Sequence, residues 1–157
     1  MEIQYSQHYL YPSTLFVNRD PYLISTVLGS CVAVCLYDPI LKFGGINHYM
    51  LPLWNGEGLA SPKYGNIAIK KLIEQMLMLG SKKVSLKAKV FGGGEVIDAG
   101  ISNFRIGERN IAIAKSMLEE EYIPVLSSSV AGKLGRKIIF NTLTSEVQHK
   151  FIERKAF

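Results

Sequence analysis

The sequence predicts one α+β domain over residues 1–157, a layered β-sandwich of mixed sheets flanked by helices. Strand-like runs stand near both ends of the chain, and two amphipathic stretches lie between them. Val32 to Tyr37 is apolar on both alternating faces, the pattern of a strand covered on both sides. A length of 157 residues suits one core, and no repeat or linker marks an internal boundary.

The elements follow in order. Residues 14–18 and 23–28 read as strands separated by the turn Asn18-Arg19-Asp20-Pro21. Asp38-Pro39 then sets a tight turn between the strand at 32–37 and another at 43–51. If Asp38 to Leu41 form that loop, Tyr37 opposes Lys42 and the continued ladder sets Cys31 opposite His48. Opposed residues share a sheet face, whereas a slip of one residue would separate them. Ser61-Pro62 reads as a cap and first turn for a helix over 62–79, with Ile69, Leu72, Ile73, Met76 and Leu79 on its apolar face and Gly80 as its stop. A strand over 84–90 runs into Phe91-Gly92-Gly93-Gly94. A second helix spans about 106–122 before Pro124, and 137–141 with 146–151 form a terminal hairpin.

Composition narrows the function. A hydrophobic fraction of 48% belongs to a folded domain rather than a disordered segment. The apolar runs fall short of the roughly 18 residues of a membrane span, and the N-terminus lacks a signal pattern, so cytoplasmic residence without membrane insertion is expected. The net charge of +5 comes from scattered basic residues, which argues against nucleic acid and suits an acidic protein partner. Cys31 and Cys35 are the only cysteines, too few for a disulfide scaffold and badly spaced for zinc.

The chemistry centres on Cys31 and His48. A thiol with a pKa near 8.5 needs a basic neighbour or converging backbone dipoles to act as a nucleophile, and His48 can be that neighbour. Small residues before the cysteine, Gly29 and Ser30, can turn backbone N–H groups toward an oxyanion. Ser25 and Thr26 each offer a hydroxyl to orient His48 or a substrate amide. Against this stands a plainer reading in which Cys31 is a small buried hydrophobe and His48 a hydrogen-bonded core residue. Cys35 fits that plainer reading, and His8 and His149 have no companions. The glycines at 92–94 lack the lysine and spacing of a phosphate loop, and are read as a close backbone crossing near the site. Arg105, Glu108 and Arg109 are read as a solvated or capping cluster.

Six blocks carry a family resemblance: Leu28-Gly-Ser-Cys31-Val-Ala-Val-Cys-Leu-Tyr-Asp38, Asn47-His48-Tyr-Met-Leu-Pro52, Lys63-Tyr64-Gly65, Val90-Phe-Gly-Gly-Gly94, Ile106-Gly-Glu-Arg-Asn110, and Gly135-Arg136-Lys137 through Phe140. In this order the chain resembles the CheD family of chemoreceptor glutamine deamidases. The resemblance implies a Cys/His hydrolase with a sandwich core similar to the catalytic domain of cytotoxic necrotizing factor toxins. It implies selected glutamines of methyl-accepting chemotaxis receptors as substrates; the same thiol and imidazole route would extend to receptor glutamyl methyl esters and needs no cofactor or metal. Cys31 matches the nucleophile and His48 the base. Thr26 is preferred to Ser25 as the third residue, with Gly29, Ser30 and Asn47 around the oxyanion and substrate. The resemblance also raises the CheC phosphatase as a partner, and leaves a non-catalytic adaptor that binds receptor or CheC as the competing reading. Two departures from the family pattern, Ser129-Val130-Ala131-Gly132 and Ser145, bear on partner binding or loop geometry rather than on the chemistry.

Overall fold

The computed structural model describes residues 2–95 and 105–153. Among these residues nine strands and two α-helices run β1 (Ser6–Tyr9), β2 (Thr14–Asn18), β3 (Tyr22–Leu28), β4 (Val32–Asp38), β5 (Phe43–His48), α1 (Gly65–Met78), β6 (Lys87–Gly92), α2 (Ile106–Glu120), β7 (Val125–Val130), β8 (Gly135–Asn141) and β9 (Val147–Ile152). One sheet has the order β1-β3-β8-β9 and the other β2-β5-β4-β6-β7. Each mixes parallel and antiparallel pairs, because β1 runs parallel to β3 and β7 parallel to β6. The fold is therefore the expected α+β layered sandwich.

The double burial of β4 explains the layers. Val32, Val34 and Leu36 face a core completed by Ala68, Ile69, Leu72 and Met76 of α1 and by Ala114 and Leu118 of α2. Ala33 and Cys35 face the opposite way, into a second core with Ile24 and Leu28 of β3 and Ile138 and Phe140 of β8. The five-stranded sheet thus has helices on one side and the four-stranded sheet on the other. Among the described residues no helix is long and apolar enough to cross a membrane.

Several expectations need correction. The β4–β5 turn closes one pair further along than predicted: Asp38 pairs with Phe43 and Tyr37 with Gly44. The Asp38 carboxylate causes this, since Oδ1 accepts the amides of Ile40 and Leu41 and its carbonyl accepts the amide of Lys42. The ladder is displaced by two residues, so the position opposite Cys31 falls at Met50 rather than His48, and face parity is kept. α1 starts at Gly65 rather than Pro62, because the Lys63 carbonyl accepts the amides of Met50 and Leu51 and holds that stretch extended. A short 3-10 turn at Lys83–Ser85 occupies the start of the strand expected at 84–90. The edge strands β1 and β7 gave no strand signal: both are largely exposed, β1 is polar apart from its tyrosine, and β7 has three serines in a row at its centre.

Both departures from the family pattern fall on left-handed backbone. Ala131 has φ 67° and Ser145 φ 70°, a region that glycine enters without steric cost. Ser145→Gly should raise stability by up to about 1 kcal/mol, measured as a higher urea midpoint at unchanged slope.

Candidate active site

The turn Gly29-Ser30-Cys31 carries the chain from β3 in one sheet to β4 in the other, so Cys31 sits at the rim of the sandwich. The side chain is half-buried and packs against the inter-sheet core. Three glycines hold the turn from behind. The Gly93 amide donates to the Cys31 carbonyl at 2.8 Å and the Gly94 amide to the Gly29 carbonyl at 3.0 Å. Gly92 lies at φ 106°, and a Cβ there would overlap the Cys31 carbonyl. The close-crossing reading of these glycines therefore holds, and the amides of Gly93 and Gly94 are engaged by protein carbonyls rather than open to an anion.

His48 ends β5 on the same inter-sheet face as Cys31: Ile46, two residues earlier, packs in that core, and alternation brings His48 to the same side. It is 1% exposed. Its Nδ1 lies 2.8 Å from Thr26 Oγ1, and that hydroxyl donates its single proton to the Leu10 carbonyl at 2.8 Å. Thr26 Oγ1 must then accept from the imidazole, which assigns the ring proton to Nδ1 and leaves the lone pair on Nε2. Nε2 is buried without a partner among the described residues. Burial pushes the His48 pKa down to about 4, so the ring is neutral at pH 7. Burial likewise raises the Cys31 thiol, with its own backbone N–H opposing the rise. The resting pair is thus a neutral thiol and a neutral imidazole in the tautomer a base requires.

The other sequence candidates divide. Ser25 lies on the opposite face of β3 from Thr26, whose hydroxyl is the one at His48. Gly29 and Ser30 use their carbonyls to accept from the Gly94 amide and from Asn110 Nδ2. Among the described residues the amides of Ser30 and Cys31 donate to no main-chain carbonyl. Asn47 projects from the other side of β5 from His48, fully buried, with Oδ1 accepting the Val34 amide at 2.9 Å and Nδ2 without a partner among the described residues. The structure does not bring it to the imidazole. Cys35 is buried in the inter-sheet core, and burial raises its thiol far above the ordinary value. Asn110, which entered the sequence reading only as part of a motif, is fully buried and contacts the cysteine turn directly. Arg105 and Glu108 form an exposed pair, as expected for a solvated cluster.

Fold and rim define an α+β two-sheet sandwich with a cysteine and a hydroxyl-oriented histidine on its inner face. Residues 50–151 match the family described as CheD chemotactic sensory transduction. A probable chemoreceptor glutamine deamidase CheD of Trichlorobacter lovleyi is 51% identical over 90% of this chain and 88% of its own length. One of the same description from Sulfurimonas denitrificans is 46% identical over 99% of this chain and 100% of its own, a span that includes Cys31 and His48. The chain belongs to the CheD family.

Proposed function

We propose that this protein deamidates selected glutamine side chains of methyl-accepting chemotaxis receptors to glutamate, with Cys31 as nucleophile and His48 as base. Family membership and the names of its relatives support the substrate class. The observation that carries the chemistry is the unpartnered Nε2 of a neutral His48 on the face shared with Cys31.

His48 Nε2 takes the thiol proton as Sγ attacks the carboxamide carbon, and the amides of Cys31 and Ser30 receive the developing oxyanion. The imidazolium then protonates the amide nitrogen, the C–N bond breaks and ammonia leaves. Its depressed pKa makes it a strong acid for that step. Water next gives a proton to Nε2 and attacks the thioester carbonyl, the C–S bond breaks, and the thiolate recovers its proton. The balance is glutamine plus water to glutamate plus ammonia. A glutamyl methyl ester would follow the same course with methanol leaving. A glutamine side chain offers little contact area, so selection falls to docking of the surrounding receptor segment.

Incubation with a receptor cytoplasmic fragment should add about one mass unit per modified glutamine without backbone cleavage. Cleavage products would indicate a peptidase, and an unchanged mass would contradict the proposal. Thr26→Val, nearly isosteric but unable to accept from Nδ1, should lower kcat roughly tenfold to a hundredfold, the range for loss of a group that orients an imidazole. A larger loss in Ser25→Ala would move the orienting role to Ser25.

A further inference from the structure

Asn110 fills a gap in the sheet at the reacting pair. The β4–β5 ladder is regular from Asp38–Phe43 to Cys35–Ile46. It then opens. The Val34 amide turns to the side chain of Asn47, and the last main-chain link is the Val32–Tyr49 bridge, with N–O distances of 3.1 and 3.0 Å. Cys31 and His48 flank this bridge, where the strands part.

Past the bridge, one carboxamide from α2 joins the parted ends. Asn110 Nδ2 donates to the Ser30 carbonyl at 2.9 Å and to the Met50 carbonyl at 3.0 Å, while the main-chain carbonyl of Asn110 accepts from Tyr49 Oη at 2.6 Å. Ser30 precedes the cysteine, and Tyr49 and Met50 follow the histidine. The contact requires two donors on one neutral terminal group, which aspartate, serine and alanine lack.

We propose that Asn110 is a positioning residue that sets the width of the opened hairpin and so the approach of the Cys31 thiol to His48 Nε2. The inference rests on the Cys31/His48 reading of the function and extends it to a residue of α2. It makes the thiol's reactivity depend on a side chain whose hydrogen bonds go to the Ser30 and Met50 carbonyls rather than to sulfur or imidazole.

The test uses the full chain and two variants, Asn110→Asp and Asn110→Ala, checked for folding by circular dichroism and thermal unfolding. Iodoacetamide alkylation of Cys31, followed against pH, needs no glutamine substrate. In the parent protein the profile should show one limb from the thiol and a second from His48. In the variants the His48 limb should vanish. With a receptor fragment, kcat should fall about a hundredfold with KM nearly constant, the cost of an ångström-scale misplacement. A His48 limb missing from the parent or retained in a folded variant overturns the proposal, as does a kcat loss that only tracks the folded fraction. Should both variants unfold, Asn110→Ser keeps one donor, and parental profiles in that variant overturn the proposal equally. A parent that leaves receptor glutamines unchanged contradicts the deamidase reading alone, since the alkylation profiles still test the clamp.

Discussion

Cys31→Ala should abolish ammonia release from receptor glutamines, with the rate falling by at least about 10⁴-fold, as when a covalent nucleophile is removed. The substitution deletes one sulfur at a half-buried rim position, while the turn itself is held through carbonyls of Gly29, Ser30 and Cys31. Folding and receptor binding should therefore persist, measured by thermal unfolding and by co-sedimentation with receptor. That combination separates catalysis from an adaptor role, in which binding alone would matter. Undiminished ammonia release from the variant would remove Cys31 from the chemistry.

His48 should govern both the rate and the acid stability of the protein. Its folded pKa of about 4 lies below the ordinary 6.5, so between these values the unfolded chain binds a proton that the folded chain refuses. The sign follows: stability is complete above pH 6.5 and declines as pH falls toward 4. Once the folded form also protonates, the decline levels off. The loss amounts to on the order of 3 kcal/mol. Urea unfolding at pH 7, 5.5 and 4.5 should show this slope in the parent and a shallower one in His48→Gln. The His48 imidazole, the proposed base, is also neutral through this range, so kcat/KM should hold its acid limb near pH 4 rather than near 6.5. Removal of the imidazole should cost about 10²- to 10⁴-fold in kcat, the usual worth of a positioned base. An acid limb at 6.5 would show His48 to be solvated in the working enzyme.

The layers were legible in the sequence because β4 is apolar on both parities, a signal that survives without any knowledge of partners. The hairpin register was not, since it depended on whether the Asp38 side chain would gather the amides of Ile40 and Leu41 and move the closing pair to Asp38–Phe43. Parity survived the two-residue displacement, so Cys31 and His48 still share a face although they are not opposed. Which of Ser25 and Thr26 turns its hydroxyl to His48 depends on which face of β3 looks inward, and the packing of Ile24 and Leu28 in the inter-sheet core places Thr26 there. Asn110 lay out of reach for a different reason. Its bond to Ser30 joins residues 80 positions apart, and a side-chain amide that completes a broken ladder has no local pattern to betray it.

The most direct measurement of the central claim is the mass of an acid-quenched reaction between the protein and a receptor peptide containing a target glutamine. An adduct equal to the two chains less one ammonia is expected, mapped to Cys31 and absent from Cys31→Ala. Conversion of the peptide to its glutamate form with no such adduct at any quench time, and at equal rate in Cys31→Ala, would contradict it.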